Sequence, residues 1–513
     1  MKTPKTISRT EWAALILGVS MLLGIMVRIF PGLMVGFPIN DGGMFMVMVR
    51  DLRANGLALP AFTEYNDASI PFAYPPFGFY VAALLGGAGI PALDVLRWLP
   101  MVVNFLSIPA LYFLAATLLE DRAGAAVASA FFALTAGSYS WQIMGGGLTR
   151  ALGMLFLVLA VLSVYLMFRR GEPKIVVLSI VLCSLAVTSH PEVSLATAAS
   201  CALCWLFFGR TWRATGQAAI VAAGALLLTA PWWGTVLAQH GPAPFLSVVH
   251  SGAYVSSPLI AIFREYLAPA SLLAPIGVFR LAGLAWSLWK RKYFLPVWML
   301  LPYFAEPRSA PAMAFIAGCM LAAIGLTQAL PWAVDRIARR PATEAALDFT
   351  KRNWLSISVL VTVLAMFVQS ALYDFRLIKT SLVPPEPQDA MAWARDNTPL
   401  QSRFLILTGE HGIMTDPIQE WFPALAGRRS QTTLQGLEWT LGPDFFPRLS
   451  HLVDLQDCRD VACVENWSAT TELDYTHVLI QKAPSMRPLL DAFSIDPDYQ
   501  RIYDNPEAAI FVK

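Results

Sequence analysis

The chain has 513 residues, of which 56% are hydrophobic and only 14% charged, whereas a soluble protein carries roughly 25% charged residues. That excludes a soluble globular fold and predicts a multi-pass membrane protein, because several windows of about 20 residues are almost free of charge. The formal net charge of +2 gives no sign of a nucleic-acid partner, since the basic residues gather in short loops.

In chain order, the apolar runs predict about eleven spans, near residues 12–30, 93–117, 123–139, 151–168, 175–189, 192–208, 217–236, 268–288, 293–304, 310–332 and 354–373. The first span leads into an outer loop over residues 31–92, about 60 residues where connections typically take about 4–6. This loop opens with "INDGGMF", which contains Asp41. An amphipathic stretch follows, with Met44, Phe45, Met48, Val49 and Leu52 on one face and Arg50 and Arg53 turned away. It reads as a helix lying flat on the surface. The loop then passes Glu64 and Tyr74 and ends in the apolar "PPFGFYVAALLGGAG". That run is too short to cross the hydrocarbon and reads as a re-entrant or interfacial helix.

Counting that run as a span would reverse every later loop, and the charges reject this. With the N-terminus inside, the inner segments hold about 17 Lys and Arg, Lys2, Lys5, Arg169, Arg170, Arg340 and Lys351 among them, against about 5 in the outer loops. Three later outer turns carry further ionisable groups. "SYSWQIMGGGLTR" ends in Arg150, "TSHPEVS" holds His190 and Glu192, and "FAEPRSAP" holds Glu306 and Arg308. Any one of these is as readily a solvated loop residue. Together they bring acids, a base and two arginines to one face, and ionisable groups at membrane depth are costly and tend to be functional.

Residues 374–513 change character, becoming polar and rich in Asp, Pro and Arg. "PEPQDAMAWARDN" predicts a helix, "RFLILTG" and "THVLIQK" predict strands, and "RIYDNPEAAIFV" predicts a closing hairpin turning at Asn505 and Pro506. This is a small α/β domain of ordinary size. Cys458 and Cys463 are its only cysteines and can close a short disulfide loop in an oxidising compartment; two unpaired thiols remain the alternative. Cys183, Cys201, Cys204 and Cys319 fall in apolar runs and read as small buried hydrophobes.

The order of "INDGGMF", amphipathic stretch and "YPPFGFY" resembles the first outer loop of the GT-C superfamily of membrane glycosyltransferases. That superfamily includes oligosaccharyltransferase catalytic subunits, protein O-mannosyltransferases and lipid A aminoarabinose transferases. "DAMAWARDNTP" and "DPIQEWFPALAGRRS" are similar to stretches in the extracytoplasmic α/β domains of bacterial members. The resemblance implies a mainly α, multi-pass helical bundle over residues 1–373 and a small extracytoplasmic α/β domain over residues 374–513, in the cell (inner) membrane with the N-terminus cytoplasmic. It also implies transfer of a sugar from a polyprenyl-phosphate-linked donor to a lipid, polysaccharide or protein acceptor, among membrane lipids.

In that scheme Asp41 takes the acceptor proton, and Arg308 and Arg150 bind the donor phosphate. Glu64, Tyr74, His190, Glu192 and Glu306 are further site candidates. Many members carry two acids in the first loop, where Asp41 is followed here by two glycines that would let a bulky sugar approach. "GGGLTR" also lacks the acids that bind metal in many second outer loops. No cofactor is therefore assigned, and a divalent cation stays open. A secondary transporter is the alternative reading, but no internal repeat is visible and the charges gather at one face rather than at midplane. A non-catalytic lipid-binding or assembly role is a third.

Overall fold

A computed structural model of the chain describes residues 8–252, 257–268, 274–339 and 352–513. Lys2, Lys5, Arg340 and Lys351, together with residues 269–273 of the eighth expected span, lie outside that set.

The first helix, α1 (Arg9–Val35), starts on a reciprocal cap. The Ser8 hydroxyl accepts from the Glu11 N–H, and the Glu11 carboxylate accepts from the Ser8 N–H; both donors would otherwise lack a helical carbonyl. It stops at Gly36, whose φ of 71° favours a residue without a Cβ. Next come α2 (Gly43–Ala54), α3 (Phe77–Gly87), α4 (Ala92–Leu119), α5 (Arg122–Leu134), the single turn α6 (Ala136–Tyr139) and α7 (Gly147–Arg170). The bundle continues with α8 (Pro173–Ser189), α9 (Pro191–Phe208), α10 (Trp212–His240), α11 (Ala243–Gly252), α12 (Pro258–Tyr266) and α13 (Pro275–Trp289). It closes with α14 (Phe294–Leu300), α15 (Pro302–Ala305), α16 (Ala310–Ile324), α17 (Leu330–Ile337) and α18 (Asn353–Thr380).

Every expected span has a helix at its place. Among the described residues, seven helical stretches are long and apolar enough to cross a membrane: α1, α4, α7, α9, α10, the continuous Ala310–Ile337 and the stretch that opens with α18. The shorter α5, α8, α13 and the α14–α15 pair occupy the other four places. Helix α5 is central: every residue from Ala123 to Leu134 is buried, and it packs against α1, α4 and α16. Its alanines let those backbones come close, the usual way helices pack where lipid supplies no hydrophobic drive.

The loop between α1 and α4 differs from expectation in one respect. α3 is too short to cross the bilayer, in line with an interfacial helix. α2, by contrast, does not lie flat with one free face. Met44, Phe45, Met46, Val47, Met48, Val49 and Leu52 are all buried, because α2 is wedged between α3 and a helix of the C-terminal domain. Met46 and Val47 are apolar and buried too, so the helix has no free apolar flank, and Gly43 packs on Glu420 and Trp421 of the domain. Arg50 and Arg53 stay exposed.

The tail builds a five-stranded mixed sheet ordered β4-β3-β5-β7-β6, after the loop hairpin β1 (Phe62–Thr63) and β2 (Ile70–Pro71). β3 (Arg403–Leu407) runs parallel to β4 (Arg429–Ser430) and β5 (His477–Gln481), and the hairpin β6 (Gln500–Asp504) and β7 (Ala508–Val512) adds on antiparallel. The helices α19 (Pro385–Asn397), α20 (Pro417–Ala426), α21 (Phe445–Gln456), α22 (Val461–Thr471) and α23 (Arg487–Ile495) complete it. Between α21 and α22 the sulfurs of Cys458 and Cys463 are bonded, with Cα atoms 5.5 Å apart.

One apolar core joins α2 and α3 to Met391, Phe404, Trp421 and Phe422 of the tail. Side chains reinforce the junction. The Asn66 amide donates to the Ser430 carbonyl at 2.9 Å and accepts from its N–H at 2.6 Å. The Trp421 indole N–H donates to the Asn40 carbonyl at 2.7 Å.

Candidate functional site

A cavity of about 680 Å³ opens where the α1–α4 loop, the turns at one end of the bundle and the C-terminal domain meet. Asp41 stands in its wall on a short backbone kink, with Asn40 at φ 55° and Gly42 at φ 128°. Asp41 Oδ1 accepts from the Gly146 N–H at 2.7 Å, and Oδ2 accepts from Arg150 Nη2 at 2.7 Å. Arg150 is aimed by its other end, donating from Nε to the Trp141 carbonyl at 2.8 Å. The Asp41 side chain is therefore oriented by a charge-assisted pair.

The glycines earn their places by backbone approach rather than by room for a ligand. A Cβ on Gly145 would run into the Asp41 carbonyl oxygen, and one on Gly146 into the Asp41 carboxylate. A Cβ on Gly42 would stand 3.0 Å from Gly145 Cα, and one on Gly43 would stand 2.7 Å from the Glu420 carbonyl oxygen. "DGG" and "GGG" thus lock two loops and α20 together, where a single Cβ would force them apart. The expectation that the glycines beside Asp41 open space for a sugar is corrected accordingly.

Glu420, on α20, completes this cluster. Its Oε1 accepts from the Gly42 N–H at 2.8 Å, and it is 6% exposed. Burial, with the neighbouring Asp41 charge second, pushes its carboxyl up to about 8. An acid that keeps its proton near neutral pH therefore stands beside one that is ion-paired.

A second cluster forms at the turns before α9 and α16. Glu192 Oε1 lies 3.4 Å from Arg308 Nε, and its other oxygen accepts from the Ser309 hydroxyl. Glu306 accepts from the N–H groups of Arg308 at 3.2 Å and Ser309 at 2.7 Å. Burial and then the Glu192 charge push Glu306 up to about 7. His190 is buried, which drives its imidazole down to about 4 and keeps it neutral. Tyr74 meets His190 and Trp439 edge-on, with ring centroids 5.9 and 5.8 Å apart, and burial raises its phenol.

Asp41, Arg150, Tyr74, His190, Glu192 and Arg308 thus share one cavity. Glu306 sits behind the wall and shapes the Arg308 turn. Glu64 does not join them: it is exposed beyond β1, and its N–H donates to Asp51. Sequence reasoning missed Gln142, Glu420, Gln435, Glu438 and Trp439, which also line the cavity. A signal existed for Glu420, a lone acid in the otherwise apolar "IQEWFPALA".

The arrangement does not suit a divalent cation, which needs several oxygen ligands. Both Asp41 oxygens already accept from Gly146 and from the positive Arg150. Among the described residues, no group of three or more His, Cys, Asp or Glu is placed to hold a metal ion.

No protein-family profile and no curated protein sequence matches the chain. Solved structures do match its fold. ArnT from Cupriavidus metallidurans bound to undecaprenyl phosphate aligns over 98% of both chains with a TM-score of 0.56 at 13% identity. Its apo state gives 0.55 at 14% identity, again over 98% of both. The arabinofuranosyltransferase AftD from Mycobacteria aligns with 99% of this chain and 40% of its own, with a TM-score of 0.54 at 17% identity. Over nearly its whole length, the chain has the fold of ArnT and of the matched part of AftD.

Proposed function

We propose that the chain is a membrane glycosyltransferase that moves a sugar from a polyprenyl-phosphate donor to an acceptor hydroxyl on the face carrying the C-terminal domain. The observation that carries this reading is the placement of Asp41. An oriented carboxylate lies in the wall of a cavity between bundle and domain, with an exposed arginine, Arg308, across the same space. The likeness to ArnT bound to undecaprenyl phosphate supports a lipid phosphate as the donor's carrier.

In the proposed reaction the acceptor oxygen attacks the anomeric carbon, and the bond from that carbon to the phosphate oxygen breaks. The electron pair leaves on the phosphate, and the acceptor proton passes to Asp41. Gly146 and Arg150 occupy one lone pair on each Asp41 oxygen; a carboxylate has about four acceptor sites, so a hydroxyl can still be received. Arg308 faces the growing phosphate charge through guanidinium nitrogens that its long contact with Glu192 leaves available. Arg150, tied to Asp41 and to the Trp141 carbonyl, orients the base instead of binding phosphate.

Mass spectrometry of lipids co-purifying with the protein tests the reading. A polyprenyl phosphate, with or without a sugar, is the expected companion. A preparation that neither carries nor binds added undecaprenyl phosphate would overturn it.

A further inference from the structure

We propose that the cavity selects a hydroxyl-rich sugar ring and rejects an acidic one, with Gln142, His190 and Glu438 as its hydroxyl-binding groups. This rests on the glycosyltransferase reading and names the class of sugar that reading leaves open.

The first observation is a set of unmet polar atoms. The Gln142 amide oxygen, His190 Nδ1 and Glu438 Oε2 are each shielded from solvent without a hydrogen-bond partner. All three residues belong to the wall of the one cavity. Buried polar atoms are nearly always paired, and each orphan costs stability unless a ligand or water completes it. The three come from three different parts of the fold: the α6–α7 turn, the α8–α9 turn and the C-terminal domain. No single local distortion accounts for them. Gln142 and Glu438 offer acceptor oxygens, which suit donating hydroxyls.

The second observation is the apolar lining. Trp439 and Phe45 both meet the Tyr74 ring edge-on, with centroids 5.8 and 5.0 Å away. They give the C–H face of a sugar ring a surface to lie against.

The third is charge. The arginines in the wall are each matched to a wall acid, Arg150 to Asp41 and Arg308 to Glu192, and Glu265 pairs with Arg280. Glu420 keeps its proton near neutral pH, and Glu438 feels only the charge of Arg308, which Glu192 already shares. The donor phosphate takes up Arg308. A carboxylate on the sugar would then meet Glu438 with no second cation in the described wall to offset it, and like charges set together desolvated are strongly disfavoured.

Binding to the purified full-length protein tests this. The probes are undecaprenyl phosphate, the same lipid carrying neutral gluco, manno, galacto or arabino sugars, and the uronates of the three hexoses. Bare undecaprenyl phosphate is expected to bind, at least one neutral sugar to bind on the order of tenfold tighter, and its uronate no tighter than the bare lipid. Gln142→Leu and the near-isosteric Glu438→Gln should each erode the neutral-sugar gain, taken relative to the bare lipid on the same variant, roughly 3–10-fold, the loss of one hydrogen bond. Glu438→Gln should also narrow the gap between a hexose and its uronate. If no sugar adds affinity, if the gain survives both variants, or if uronates match their hexoses, the inference is overturned while the donor reading stands. If bare undecaprenyl phosphate does not bind, both fall.

Discussion

At the scale of single residues, the case turns on what Asp41 does in the folded chain. Asp at the head of a helix commonly caps it, but the N-cap of α2 is Gly42 and receives no side-chain hydrogen bond. Asp41 is spent on Gly146 and Arg150 instead. Asp41→Asn keeps an oxygen for the Gly146 N–H and removes the charge that a base needs. Turnover is expected to fall on the order of 10²–10⁴-fold, with the protein still folded and donor-lipid affinity changed far less. A folded Asn variant with near-normal transfer removes Asp41 from the mechanism. Arg308 has the opposite signature. Arg308→Ala should weaken donor-lipid binding as well as rate, and Arg308→Lys should restore only part of it, because an ammonium lacks the guanidinium fork. Unchanged affinity in both variants, measured by lipid titration, would dismiss it as the phosphate group.

At the scale of elements, the site exists because α20 is docked on the α1–α4 loop, and Glu420 ties the two through the Gly42 N–H. Its carboxyl is raised to about 8, above its value in an unfolded chain. The folded protein thus keeps a proton that the unfolded chain releases, and stability falls as pH rises through that interval. Melting temperature should drop between about pH 4.5 and about pH 8, and Glu420→Gln, which keeps an acceptor for Gly42 and cannot ionise, should flatten the fall. Equal slopes in wild type and variant would mean the latch does not titrate. Glu306, raised to about 7, adds to the wild-type slope in the same direction, so the difference between the two curves is the readout. Such docking was only half legible in the sequence. The amphipathic face of α2 was plain from Met44, Phe45, Met48, Val49 and Leu52. That the helix is buried all round, Met46 and Val47 included, depends on contacts 378 residues apart, such as Gly42 with Glu420, and periodicity cannot report these. The glycine pairs misled for a related reason: sequence shows the missing Cβ and not the backbone that fills its place.

At the scale of the whole molecule, the membrane made the architecture easier to read than the site. A span must be long, apolar and internally hydrogen-bonded, so each apolar run found a helix, and "RFLILTG", "THVLIQK" and the closing hairpin found their strands. Even the costly Arg28 inside α1 is accommodated: its Nε donates to Asn104 at 2.6 Å and its Nη1 to the carbonyls of Gly24 and Ala133. Orientation is a separate matter, and the positive-inside bias predicts the C-terminal domain outside. Ile495 in that domain is 86% exposed, and Leu400 is 74% exposed. Trp212 and Ile337, at 93% and 84%, lie beside basic residues at the ends of helices that the bias places inside. In a Cys201→Ser background the remaining thiols are buried or disulfide-bonded. Single cysteines at positions 400 and 495 should then react with an impermeant maleimide in intact spheroplasts, and those at 212 and 337 only after the membrane is opened. The reverse pattern would put the cavity on the cytoplasmic side, where an extracytoplasmic acceptor never meets Asp41, and the proposed reaction would need a different acceptor altogether.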